Sequence, residues 1–120
     1  MLKHSEKFIQ DEIRLTLSQY GIVVRLNSGK AYGGNRVWDP RRNNYILTDI
    51  RPIALCPKGT SDLLFIGQNG QVAFIECKDY KGKPREDQQR FIEMMRSYGY
   101  RAGIARSTED ALKIIGVDDS

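Results

Sequence analysis

Apolar residues at Leu2, Ile9, Ile13 and Leu17 recur at helical spacing, so the chain should open with an amphipathic helix. Ser5 caps it, and it runs to about Tyr20 with Gly21 as its stop. Phe8 and Leu15 fall on the opposite side and point to a second apolar contact, as with another subunit. The β-branched run Ile22 to Leu26 predicts a first strand. From Asn27 to Asn44 glycines, asparagines and a proline break any period, which describes a long loop or a loose hairpin. Tyr45 to Leu47 and Pro52 to Leu55 read as short strands. Gly59 to Lys78 reads as two strands joined at Gln68-Asn69-Gly70. A helix is predicted over Arg85 to Tyr98, with Phe91, Ile92, Met95 and Tyr98 inward and Gly99 closing it. Arg101 to Ala105 is a strand, and Ser107 caps a final helix that ends before Gly116.

The order of helix, strands, helix, strand, helix predicts an α/β or α+β sheet with helices on its faces. The connection from Lys78 through the Arg85 helix to Arg101 is a crossover, which favours a parallel pair. Polar residues interrupt the apolar faces at five places. Alternation places Val72, Phe74, Glu76 and Lys78 on one side of their strand, the side taken as core-facing, and Ala73, Ile75 and Cys77 on the other. Asp62 heads the preceding strand. Glu6 and Gln88 lie on the inward stripes near the starts of two helices.

A length of 120 residues suits one domain, 1–120, with a single core. No apolar run has signal-peptide or membrane-spanning length, so a cytoplasmic protein is expected. Two cysteines and one histidine cannot make a Cys/His zinc site, and a cytosolic setting disfavours a Cys56–Cys77 disulfide. The net charge of +4 is compatible with nucleic acid without requiring it. Its distribution is more informative: Lys30, Arg36, Arg41, Arg42 and Arg51, interleaved with Tyr32 and Trp38, outnumber Asp39 and Asp49 in the loop, and Lys81 and Lys83 form a second basic turn. Basic side chains reach phosphates and aromatics stack on unpaired bases, whereas the plain alternative is a solvated loop with one anchoring tryptophan.

Two carboxylates brought together on one apolar face repel strongly. Either one takes up a proton or a divalent cation sits between them. The lysine argues for the cation, since its point charge suits a phosphate oxygen or an attacking water. Without Asp62, Glu6 and Gln88, the Glu76/Lys78 pair would read as a same-face ion pair on an edge strand.

Glu6, Arg25-Leu26-Asn27-Ser28-Gly29, Gly59-Thr60-Ser61-Asp62, Glu76-Cys77-Lys78 and Gln88 with Phe91 resemble the VRR-NUC (virus-type replication-repair nuclease) family of the PD-(D/E)XK nuclease superfamily. Gly99 through Ser107 is similar as well, and the resemblance covers nearly the whole chain. Ser61 stands where the superfamily name implies proline, a backbone device rather than a ligand. The resemblance implies a restriction-endonuclease-like central mixed β-sheet flanked by α-helices. It implies Mg²⁺ or Mn²⁺ held by Asp62, Glu76 and the Cys77 main-chain carbonyl, with Glu6 completing or supporting the site. Lys78 would activate the attacking water and stabilise the transition state, and Gln88 would orient Lys78 or the water. Phosphodiester hydrolysis in branched DNA such as Holliday junctions, by a homodimer in a bacterial or phage-infected cell, would follow, with DNA contacts from Ser28, Lys30, Arg36, Arg41, Arg42, Lys81 and Lys83. Two other readings compete: a non-catalytic nucleic-acid-binding module on a nuclease fold, and a metal-independent acid/base hydrolase.

Overall fold

A computed structural model describes residues 4–26, 30–54 and 56–117. Helix α1 spans Glu6–Leu17, and the Ser5 hydroxyl accepts the Phe8 N–H at 3.1 Å as its N-cap. The helix stops earlier than the expected Tyr20, because the chain tightens into turns donated by Gln19 and Tyr20 to Thr16 and Leu17. Gly21 serves the next step instead: a Cβ there would lie 2.4 Å from the Ile66 carbonyl oxygen, so its role is close approach. Ile13 and Leu17 are buried as the period requires, while Phe8 and Leu15 are exposed. Leu2, also expected on the inward stripe, lies outside the described residues.

Four strands form a mixed sheet in the order β1-β4-β5-β6. They are β1 (Ile22–Arg25), β4 (Leu63–Ile66), β5 (Val72–Cys77) and β6 (Arg101–Ala105). Strand β4 is antiparallel to both β1 and β5, and β6 is parallel to β5. The parallel pair is joined by α2 (Glu86–Ser97), as the crossover predicts. Helix α3 (Thr108–Ile115) follows, capped by Ser107 and closed by Gly116 at φ 84°. The Asp110 carboxylate reaches back to the Arg106 N–H rather than to its cap residue.

Strand β5 is covered on both faces. Ala73, Ile75 and Cys77 enter the main core with Ile13, Leu17, Leu63, Phe65, Ala111 and Ile115, beneath α1 and α3. Phe74 faces the smaller cluster of Ile92, Met95 and Ala102 beneath α2, its ring edge-on to Phe91 at 5.5 Å. The expected core face of β5 is therefore the lesser of two, since α2 covers only β5 and β6 on its side. Tyr98, expected inward, is exposed because α2 ends at Ser97 and the chain turns away at Gly99, φ 93°. Both cysteines are free.

The segment between β1 and β4 is the main departure from the sequence reading. It forms a long two-stranded hairpin, β2 (Lys30–Asp39) and β3 (Asn44–Ala54), which pair antiparallel with each other and not with the main sheet. The two short strands expected at Tyr45 and Pro52 are one strand, bent by a bulge opposite Gly34 where Asp49 takes φ 54°. A Cβ on Gly34 would meet the Thr48 carbonyl oxygen at 2.7 Å, so the bulge closes over a glycine. The radius of gyration, 18.1 Å, exceeds the roughly 14 Å of a compact chain this long. The hairpin is an arm.

Candidate metal and catalytic site

Antiparallel pairing brings the start of β4 beside the end of β5, and this places Asp62 next to Glu76 and Cys77. The Asp62 carboxylate accepts the Cys77 N–H at 2.9 Å, and the Asp62 carbonyl accepts from Leu26 N at 2.7 Å. Asp62 is thus held between the ends of β1 and β5. The approach leading to it is a turn in which both the amide and the hydroxyl of Thr60 donate to the Pro57 carbonyl. Gly59 has φ 89° there, and a Cβ would lie 2.4 Å from the Asp87 carbonyl oxygen. Only glycine lets this turn pack on the first turn of α2.

Glu76 is 2% exposed and Lys78 is 8% exposed. Gln88 fixes the Glu76 carboxylate from α2: its Nε2 donates to Glu76 Oε1 at 3.1 Å, while its own Oε1 accepts the Arg85 N–H at 2.9 Å. One side chain therefore caps a helix and orients a site carboxylate. Lys78 Nζ stands 3.9 Å from the same Oε1, a loose ion pair, and the Lys78 N–H is anchored on the Ala105 carbonyl of β6. Glu6 enters from the first turn of α1. Carboxylate oxygens of Glu6, Asp62 and Glu76 lie within 4.8 Å of one another.

That cluster is electrostatically costly without a cation. Two carboxylates at 4.8 Å repel by roughly 3.5 kcal/mol at an effective dielectric of about 20. The consequence falls on the most buried member. Desolvation, then the facing Asp62 carboxyl, push the Glu76 carboxyl up to about 8, with Lys78 opposing. Glu76 Oε2 is buried and receives no hydrogen bond among the described residues. An orphaned buried oxygen facing two further carboxylates is a donor set that suits a hard divalent cation. The residues present fit such an ion. Burial and the same carboxylates push the Cys77 thiol up as well, so its sulfur is a core atom and not a ligand.

Sequence reasoning missed the pocket beside this cluster. An open concavity of about 330 Å³ is lined by Glu6, Lys7, Gln10, Asp11, Arg25 and Asp62. Lys7, Gln10 and Asp11 sit one, four and five positions after Glu6, a helical spacing that would have revealed them once Glu6 was placed. A second, larger concavity of about 460 Å³ lies at the tip of the arm, among Trp38, Asp39, Pro40, Arg41, Arg42 and Ile46. It shares no residue with the carboxylate cluster, and no such cluster lines it.

The expected DNA contacts are scattered. Ser28 and the Lys30 side chain lie outside the described residues. Arg36 lies over the Tyr45 ring at 3.8 Å, and Arg42 pairs with Asp39 at 3.2 Å. Arg41 is exposed at the arm tip, and Lys81 and Lys83 are exposed on the turn after Lys78. None of these is part of the carboxylate cluster.

A mixed sheet flanked by helices, with three carboxylates and a lysine gathered around the end of β5, defines an α/β fold of nuclease-like layout. A family model for the VRR-NUC domain matches residues 5–109, and the chain belongs to that nuclease-type family. The match includes every member of the carboxylate cluster together with Lys78 and Gln88. Comparison with curated proteins and with solved structures gave no match. Among the described residues no helix is long and apolar enough to cross a membrane.

Proposed function

We propose that the protein is a metal-dependent endonuclease that hydrolyses DNA phosphodiester bonds. The observation that carries this reading is the junction of Glu6, Asp62 and Glu76 around an oxygen with no donor among the described residues, with a buried lysine beside it. Asp62, Glu76 and the Cys77 carbonyl would hold Mg²⁺ or Mn²⁺, with Glu6 supporting them. The bound cation supplies Lewis-acid polarisation of the scissile phosphate and neutralises the carboxylates.

The chain's own groups do the rest. Lys78 Nζ, whose ion pair among the described residues is the loose 3.9 Å contact with Glu76, would donate to the attacking water or to a phosphoryl oxygen as negative charge develops there. Gln88 keeps the Glu76 carboxylate in place, so that it does not swing away with Lys78. The N-termini of α1 and α2 both reach the cluster through Glu6 and Gln88, and their dipoles favour an anionic substrate. Lys81 and Lys83, with Arg36, Arg41 and Arg42 on the arm and Ser28 and Lys30 near its base, would contact the nucleic-acid backbone. Branched DNA is the favoured substrate and a homodimer the favoured assembly, in keeping with the exposed Phe8 and Leu15.

The test is a cleavage panel of single-stranded, duplex, flapped and four-way-junction DNA in Mg²⁺ and in Mn²⁺. The wild type should cut the four-way junction or flap in preference to plain duplex. Asp62→Ala and Lys78→Ala should each lose at least a thousandfold in rate while retaining DNA binding. Undiminished cleavage by both variants would sink the site assignment. Binding without cleavage by the wild type in either metal would make the protein a non-catalytic module.

A further inference from the structure

The arm holds most of the chain's basic excess together with its one tryptophan. Between Lys30 and Ala54 five basic residues stand against two acidic ones, so most of the net charge of +4 resides there. Strands β2 and β3 pack on each other with little contact to any other described element. Trp38 and Tyr45 therefore anchor nothing in the body. They face each other across the hairpin, edge-on at 5.1 Å, and remain 48% and 51% exposed. The Arg36 guanidinium lies over the Tyr45 ring at 3.8 Å. Register puts these three on one side of the ribbon, since Trp38 pairs with Tyr45 and Arg36 with Leu47. Beyond them Asp39 pins the turn: its carboxylate accepts the Arg41 N–H at 3.0 Å and the Arg42 side chain at 3.2 Å. Arg42 is thereby paired, while Arg41 is exposed and its guanidinium has no ion pair among the described residues. The tip concavity of about 460 Å³ opens among these groups, a size that admits a nucleotide.

We propose that the arm tip is a second nucleic-acid site, which takes an unpaired base of a DNA single strand: the base stacks on Trp38 and the phosphate beside it pairs with Arg41. The choice of DNA as the ligand rests on the nuclease reading. The site itself is separate from the carboxylate cluster.

The chemistry of the tip is that of a single-strand platform. Stacking on an aromatic ring suits any base, because every base has a π-face, and a flanking arginine tracks the backbone. Duplex DNA offers such a face only at its ends, since its bases already stack on one another. An apolar protein surface is the poorer occupant. Arg36 and Arg41 bracket the rings along the chain, and covering them with apolar groups would strip two cations of water without a counter-charge. A phosphate strand supplies that charge. Ten residues at about 3.3 Å each put the tip roughly 30 Å from the base of the arm. The strand held there is thus a different segment from the one lying at the carboxylates.

The single tryptophan makes the test direct. Emission of Trp38 in the full chain is titrated in EDTA, where no metal-dependent cleavage occurs, with a twelve-nucleotide thymidylate strand. Inorganic polyphosphate serves as the charge-only ligand. Thymidylate should quench the emission strongly and saturably, and polyphosphate should leave it nearly unchanged. Affinities of the variants are read from the anisotropy of the same strand carrying fluorescein. Trp38→Phe should stay within about threefold of the wild type. Trp38→Leu, which keeps an apolar partner for Tyr45 but has no π-face, should bind at least about tenfold more weakly. Arg41→Ala should lower the slope of log affinity against log salt by about 0.7 and leave the quench intact. Circular dichroism and hydrogen exchange across β2 and β3 check that each variant keeps its fold. Emission indifferent to saturating thymidylate, equal quenching by polyphosphate, or a Trp38→Leu chain that binds like the wild type would each overturn the proposal. So would emission that moves with protein concentration alone, which would set Trp38 against another protein chain. A chain that stacks thymidylate yet cuts no DNA in Mg²⁺ or Mn²⁺ would count against the nuclease reading and leave this site standing.

Discussion

Glu76 concentrates the problem that the fold has to solve. Its carboxyl is buried against Asp62 and titrates near 8 without a cation, against 4.5 for the unperturbed group. A folded-state value above the unfolded one means that the native protein holds a proton which the unfolded chain releases. That stabilisation is complete below about pH 4.5, declines as the pH rises, and is gone above about pH 8. The metal-free protein should therefore melt several degrees lower at pH 9 than at pH 6. Glu76→Gln, which keeps a neutral group there at every pH, should flatten that slope in scanning calorimetry. Divalent-cation binding requires the ionised form, so affinity should rise up to tenfold per pH unit toward pH 8. Titrations at pH 6.5 in two buffers of different ionisation heat should show close to one proton released per ion, a release that Glu76→Gln abolishes. The sequence made Glu76 and Lys78 legible through strand alternation, because a period of two survives almost any context. It did not reveal that Gln88 binds Glu76 rather than Lys78. That outcome depends on how far α2 leans over β5, which local sequence does not encode.

The elements around the site are tied together by short-range devices, and these were the most legible part of the chain. Ser5, Ser107, Gly99 and Gly116 mark helix ends by chemistry that needs no tertiary information. Strand β3 was harder to read, since its bulge at Asp49 and the proline at position 52 break the alternation that identifies a strand. Gly59 and Gln88 show how element ends become site geometry. Gly59→Ala adds a Cβ against the Asp87 carbonyl at a φ of 89°, and should cost roughly 2–3 kcal/mol, read as a lowered urea midpoint. Gln88→Leu should act differently. It removes the α2 reach-back and the Glu76 bond together, so about 1–2 kcal/mol of stability should go. Cation affinity should fall with it because Glu76 loses its anchor. Gln88→Glu, which can still accept from Arg85 N but places another carboxylate beside Glu76, should recover the cap and weaken the cation-free state further. Thermal melts with and without Mg²⁺ distinguish these effects.

At the scale of the molecule, the chain divides into a packed body and an arm that adds nothing to the body's core. Among the described residues the core comes from α1, β4, β5, α2, β6 and α3, and none of it from β2 or β3. The three carboxylates likewise come from α1, the residue leading into β4, and β5, at positions 6, 62 and 76, all outside the arm. This explains why the sequence could suggest the five polar residues yet not their distances: the arm inserts a long detour between β1 and β4 that pattern reading has to bridge blindly. The two strands are nevertheless adjacent where the detour begins and ends, since Leu26 N donates to the Asp62 carbonyl at 2.7 Å. Replacing residues 30–54 with a short Gly/Asn linker should therefore leave the body folded. Loop closure scales only weakly with length, so the shortened connection should stabilise the body slightly if it changes it at all. The expected outcome is an unchanged far-ultraviolet helix signal and a melting temperature within about 5 °C of the wild-type protomer. Calorimetric Mg²⁺ affinity should stay within a factor of two or three, because every cation-facing carboxylate remains. Amide exchange should place the slowest protons of both proteins in β5 and β6, where both sheet faces are covered. A shortened chain that fails to fold would mean that the arm supports the body through contacts the protomer does not display.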